Sequence, residues 1–150
     1  MPPARRKVTA PSFMVAVTLI VKDVARSAAF YHEVFGATIL DKGDPSTGDP
    51  AYLRLANTWL IINVGGGPTD DKPEVIATPP KHPNELSGFI NFRVTDIAKL
   101  YDLWRARGAK FVTAPKVHES EIRCYIRDPD GYLIEVGQTT STPAPLDRLR

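Results

Sequence analysis

The sequence predicts an α+β fold in which two βαβββ modules join their strands into one curved, eight-stranded, cup-like sheet with the helices outside. Three observations carry this expectation. Apolar residues alternate with a period of two in VAVTLIVKD (15–23) and again in GFINFRVTD (88–96). Each of these strands runs into an aspartate followed by a helical stripe and a glycine stop. The two halves also repeat: Val17, Leu19, Val21, Asp23, Val24 and Tyr31 meet Ile90, Phe92, Val94, Asp96, Ile97 and Trp104 at a constant offset of 73.

In the first module, Val17, Leu19 and Val21 alternate with Ala16, Thr18 and Ile20. Asp23 suits a helix N-cap, and Val24, Ser27, Ala28, Tyr31, Val34 and Phe35 form the stripe that Gly36 ends. ATIL follows as a short strand and DKGDPSTGDP as a turn-rich loop. AYLRL and TWLIINVG read as two strands joined tightly at Asn57. Residues 65–87, rich in Pro, Gly and charge and without a sustained period, read as a linker. The pattern then restarts. Asp96 caps IAKLYDLWRAR, Gly108 ends it, and AKFV, EIRCYIRD and GYLIEVGQ supply three strands. The same offset sets WLII (59–62) against YLIE (132–135). The organisation is therefore a tail at 1–12, modules at 13–64 and 88–139, the linker between them, and a second tail at 140–150, within one structural domain. The fourteen prolines all fall in tails, turns or the linker. Both tails, without period, read as mobile.

A single helix covers only one face of a four-stranded sheet, so pairing two copies closes the other faces around an interior. The more apolar set of each opening strand belongs under its helix. Ala16, Thr18 and Ile20, and by the repeat Phe89, Asn91 and Arg93, then face inward. In the last strand Tyr132, Ile134 and Val136 take the helix side, leaving Leu133, Glu135 and Gly137 on the cup face.

Composition narrows the function. Across 150 residues, 43% hydrophobic and 24% charged content describes a globular domain rather than a disordered chain. No apolar run approaches the ~18–20 residues of a membrane span. The Arg5-Arg6-Lys7 start is not followed by a cleavable signal pattern, so the expected compartment is the cytoplasm. A net charge of +2 with interspersed signs gives no phosphate-tracking stripe, which argues against nucleic acid. Cys124, alone, excludes an internal disulfide and reads as a buried inert thiol, with a catalytic thiol as the alternative.

The doubled βαβββ pattern, the opening VTLIVKDVARSAAFYHEVFGA and the closing RCYIRDPDGYLIEVGQ resemble the vicinal oxygen chelate superfamily, which includes glyoxalase I, extradiol dioxygenases and the fosfomycin- and bleomycin-resistance proteins. The resemblance covers residues 13–139, and its most specific piece is the Asp128-Pro129-Asp130-Gly131 turn leading into YLIE. In metal-using members it implies His or Glu ligands from the first and fourth strands of each module. Those places map onto Ala16, Ile62, Phe89 and Glu135, or Asn63 in place of Ile62 if the fourth strand slips by one. Three apolar side chains donate nothing to a divalent cation. A divergent member with no cofactor is the expectation, and a divalent metal the runner-up. The resemblance further implies a homodimer.

Other signals are bland. HEVFG around His32 fails H-E-x-x-H, His82 lies in the linker, and His118 is a loop histidine with the option of folding over the cup mouth. Gly65-Gly66-Gly67 lacks the companions of a nucleotide loop and reads as a flexible turn, and Asp70-Asp71 as solvated linker charge.

The ligand-binding candidates are Thr18, Phe89, Asn91, Arg93, Arg123 and Tyr125, with Glu135 as the catalytic candidate. Arginine beside Glu135 reads either as a structural ion pair or as a device that orients an anionic or carbonyl-bearing ligand while Glu135 acts as acid or base. Three functions stay open. The first is a metal-independent binder of a small apolar or aromatic molecule, resembling the bleomycin-resistance branch. The second is a lyase or dioxygenase recruiting metal through Glu135 and His118. The third is a non-catalytic scaffold or regulatory module.

Overall fold

The computed structural model describes residues 8–141. The expected tails fall for the most part on residues 1–7 and 142–150, outside the described residues; residues 8–15, before the first strand, have no helix or strand. The chain divides into two compact units between Pro79 and Pro80. Among the described residues no helix is long and apolar enough to cross a membrane.

The first unit follows the expected order: β1 (Ala16–Ile20), α1 (Val24–Phe35), β2 (Thr38–Asp41), β3 (Ala51–Leu55) and β4 (Thr58–Asn63). The sheet order is β1-β4-β3-β2, with β1 parallel to β4 and the other pairs antiparallel. Asp23 caps α1 by accepting the Arg26 N–H at 3.0 Å, which satisfies one of the orphan donors of the first turn. Gly36, at φ +75°, ends the helix, its N–H donating to the His32 carbonyl. The His32 ring lies within hydrogen-bond distance of the Ala37 carbonyl, 2.7 Å, so this histidine belongs to the helix terminus. Leu19, Val21, Leu53, Leu60 and Ile62 are buried with Val24, Ala28, Tyr31 and Val34 of the helix. The β3–β4 turn holds Ala56 at φ +50°, a left-handed conformation that costs a non-glycine residue about 1–2 kcal/mol.

The stretch 65–87 is more ordered than its composition suggests. Gly66 and Ala77 exchange backbone hydrogen bonds, and Thr69 and Lys72 do the same across the tip, so residues 65–77 fold back as a hairpin within the first unit. Gly65 sits at φ +72° where a Cβ would overlap the Ala77 carbonyl, which explains a glycine there better than flexibility does. Asp71, at the tip, is held below the usual carboxylate range by the Thr69 hydroxyl and its own backbone N–H. Residues 80–87 belong to the second unit. There Arg127 donates to the Pro83 carbonyl (2.6 Å) and the Asn84 side chain (3.0 Å).

The second unit contains β5 (Ile90–Arg93), α2 (Ile97–Ala106), β6 (Lys110–Phe111), β7 (Lys116–Val117), β8 (Glu121–Arg127) and β9 (Leu133–Thr139). Its main sheet runs β5-β9-β8-β6, with β5 parallel to β9. The two-residue β7, paired with β8, was not expected and makes this sheet five-stranded, so among the described residues the two sheets hold nine strands rather than eight. Lys116–Val117 follows Pro115 and offers one apolar residue before the polar HESE run, so apolar periodicity does not reveal it; the hairpin exists because the His118 N–H reaches the Glu121 carbonyl at 2.8 Å. Asp96 caps α2 through the Lys99 N–H. The turn before β9 is built on buried Asp128, which accepts the N–H groups of Asp130 and Tyr132, both at 2.9 Å, and Gly131 takes φ +93°.

Candidate functional site

The register of the second sheet decides which side chains meet. Ile90, Ile134 and Ile126 form one row across β5, β9 and β8, and Phe92, Val136 and Cys124 another. Ile126, Ile134, Val136 and Cys124 are buried, and Phe92 packs edge-on against Trp104 of α2, so this is the helix-covered face. Burial pushes the Cys124 thiol up to about 11, which leaves it protonated and unreactive at neutral pH.

Strand alternation places the intervening residues on the opposite face. Asn91, Glu135 and Tyr125 form the first row, Arg93, Gly137 and Arg123 the second, and Thr139 with Glu121 the third. Phe89, just before β5 and half exposed, sets its ring at 77° to that of Tyr125 with centroids 6.0 Å apart. Six of the seven expected site residues thus share one surface. The seventh, Thr18, lies in the first unit, exposed, in a row with Ile61 and Tyr52.

Polar contacts link the three rows. Asn91 Nδ2 donates to Oε2 of Glu135, a carboxylate only 7% exposed. Arg93 donates to Asn91 Oδ1 (3.4 Å), Thr139 Oγ1 (2.8 Å) and Glu121 Oε2 (3.1 Å). Arg123 Nη1 takes the other Glu121 oxygen, Oε1, at 3.0 Å. Arg123, then Arg93, hold the Glu121 carboxyl below the usual glutamate range, and the Glu121 bond in turn raises the Arg123 guanidinium further. Gly137 makes this possible, because a Cβ there would overlap Nη1 of Arg93. The guanidinium fills the space a side chain would take.

Among the described residues the ion pairs of both arginines therefore run to Glu121, not to Glu135. Glu121 and Thr139 were missed by reading the sequence. A signal for Glu121 was present: apolar Ile122, Cys124 and Ile126 alternate with Glu121, Arg123 and Tyr125, which puts the latter three on one face. His118 stands at the end of the β7–β8 hairpin, level with Glu121. Four residues of strand separate that level from the Tyr125–Glu135 row, about 13 Å, so His118 and Glu135 do not converge on one ion.

A sequence profile described as the Glyoxalase/Bleomycin resistance protein/Dioxygenase superfamily matches residues 14–136. The chain belongs to this superfamily. Its solved relatives share the vicinal oxygen chelate fold: the fosfomycin resistance protein FosX of Listeria monocytogenes superposes with a TM-score of 0.61 at 21% identity, over 87% of this chain and 96% of that one. A glyoxalase/bleomycin resistance/dioxygenase domain from Frankia sp. EAN1pec gives 0.64 at 20%, over 89% and 96%. In sequence the chain is 27% identical to a probable lactoylglutathione lyase of Synechocystis sp. over 86% of this chain and 97% of that one. It is 30% identical to the Arabidopsis thaliana lactoylglutathione lyase GLX1 over 83% of this chain, spanning 44% of that relative's length.

The metal positions that the resemblance implies can be set against this register. Ile62 is not the counterpart of Glu135 there. Asn91 pairs with Glu135, and the equivalent Thr18 pairs with Ile61, so the counterpart of Glu135 is Ile61, while Ile62 pairs with Leu19 and is fully buried on the helix side. The offset of 73 holds for β1 and β5 but becomes 74 on the fourth strands, since 135 − 61 = 74, because the loops between differ in length. Asn63 shares the open face with Ile20, and its Oδ1 accepts the Val64 N–H at 2.9 Å. Of Ala16, Ile61, Phe89 and Glu135, only the last carries a donor atom. Among the described residues no three His, Cys, Asp or Glu side chains converge. This donor set does not fit a divalent cation held by three or more protein ligands.

Proposed function

We propose that this superfamily member binds a small apolar or aromatic molecule without a metal, on the open face of the second sheet. The observation that carries the reading is the chemistry at the family positions: one carboxylate, Glu135, already engaged by Asn91, among side chains that cannot ligate. The same face supplies what a ligand needs instead. Phe89 and Tyr125 offer an aromatic corner, and Asn91, Arg93 and Arg123 are polar anchors beside it. Thr18, in the first unit, carries no part of this reading. Glu135 is the one carboxylate of the cluster placed to exchange a proton with a ligand lying across the Asn91 row.

A metal-dependent lyase is the second reading, favoured by the relatives named as lactoylglutathione lyases. Metal analysis separates the two. Protein purified without a metal-affinity step is expected to hold no stoichiometric metal and to show no thermal shift with nickel, manganese, iron(II), cobalt or zinc. Near-stoichiometric metal that disappears in Glu135→Ala would overturn the metal-free reading. The homodimer implied by the resemblance belongs to the same proposal; sedimentation at a single molecular weight of twice 16.5 kDa would support it.

A further inference from the structure

The arginine cluster is an unusual use of one side chain. Glu121 spends each of its carboxylate oxygens on a different guanidinium, at 3.1 Å to Arg93 and 3.0 Å to Arg123. Two positive groups and one negative group leave the trio at +1, with the Glu135 carboxylate one row away as the next negative group. The two arginine side chains are 44% and 38% exposed, so the pair is open to solvent and to a second anion. Arg93 is further held by Thr139 and lies in the space left by Gly137, which pre-sets its orientation whatever Glu121 does. Glu121 is the first residue of β8, next to the 118–120 turn, so its side chain can swing away without opening the core.

We propose that Glu121 is an internal occupant of an anion subsite: its carboxylate stands where a ligand carboxylate binds Arg93 and Arg123, and the ligand is an aromatic monocarboxylate that displaces it. This rests on the preceding reading of the face as a small-molecule site. The aromatic half comes from position. Tyr125 is two residues from Arg123 along β8, about 7 Å, so a ring against Phe89 and Tyr125 joined by a short chain to a carboxylate bridges the two rows. A planar carboxylate matches the guanidinium fork that Glu121 now fills. Glu135, one row away, is occupied by Asn91 and disfavours a dianion.

The experiment titrates 3-phenylpropionate and its neutral analogue 3-phenylpropionamide into the wild type, Glu121→Gln and Gly137→Ala, by calorimetry or amide chemical shifts. The wild type should prefer the acid. Glu121→Gln removes the competing carboxylate and should tighten the acid roughly three- to tenfold while leaving the amide unchanged. Gly137→Ala, without altering charge, lifts Arg93 from its seat and should abolish the preference for the acid. Near-ultraviolet circular dichroism checks the fold, and Glu121→Ser serves if Glu121→Gln does not fold. Equal binding of acid and amide, or no tightening in the Glu121 variants, overturns the inference while the aromatic site stands. Failure of both compounds to bind any of the proteins overturns the site reading together with it.

Discussion

The two modules share a template and divide the work. Helix α1 buries Val24, Ser27, Ala28, Tyr31 and Val34, whereas α2 buries only Ile97 and Trp104. The open faces differ in the opposite sense. Where the second sheet sets Asn91, Glu135 and Tyr125 in a row, the first has Thr18, Ile61 and Tyr52. β8 has seven residues against five in β3. Ala51 pairs with Ile62 as Cys124 pairs with Val136, so Gly48, Asp49 and Pro50 stand where Glu121, Ile122 and Arg123 extend β8. Proline cannot donate to the ladder, and the strand starts later there. The added polar chemistry of the second copy thus entered partly through a strand that begins three residues earlier, while the first copy kept the thicker helix–sheet core.

The largest expected effects test that division in the core. Leu60→Ala and Ile134→Ala, equivalent and fully buried, should each cost about 2–5 kcal/mol in urea unfolding. Cys124 reports on the second module alone. With its thiol pushed up to about 11, roughly one molecule in a thousand is thiolate at pH 8, so a disulfide reagent should label it only on opening. Ile134→Ala should speed labelling more than Leu60→Ala does; equal acceleration would break the comparison by showing that both modules open together.

Next come the caps. Asp23→Ala and Asp96→Ala each remove one carboxylate bond to a backbone N–H and should cost about 1 kcal/mol, read by thermal unfolding. A much larger loss for Asp23 would sharpen the view that the first helix carries more of the fold. Converting the second face to the first, Glu135→Ile, should abolish the response to aromatic ligands while leaving a folded protein, because Asn91, whose Nδ2 alone loses its acceptor, is itself exposed and can turn that donor to water.

The smallest effect is on pH dependence. Arg123 and Arg93 depress the folded-state Glu121 carboxyl below its unfolded value. Its contribution is therefore whole above the ordinary glutamate range near ~4.3 and lost as pH falls through the lower folded value. Glu121→Gln should flatten that acid limb in thermal melts across pH 2–6 and change little at pH 7, where exposed ion pairs are weak. An unchanged acid limb would show the Arg–Glu121 contacts to be too loose to matter.

Most of the architecture was legible because its causes are local. Period-two apolar alternation, Asp23 and Asp96 before helical stripes, and Gly36 after one reflect steric and hydrogen-bonding rules that act within a few residues. Strand parity likewise put Asn91, Arg93 and Glu135 on one face. β7 escaped because Val117 is a single apolar residue between Pro115 and a polar run, and the 65–77 hairpin because its pairing joins Gly66 to Ala77 across an aperiodic loop, GPTDDKPEVI.

What the sequence by itself determined was the doubled βαβββ plan, its capped helices and the parity of each strand, all consequences of short-range geometry. Which strand residues stand side by side was decided only by the tertiary structure. Ile61 rather than Ile62 answers Glu135, and Glu121 rather than Glu135 takes both arginines, because register depends on how long loops close and on where a guanidinium finds room, over Gly137.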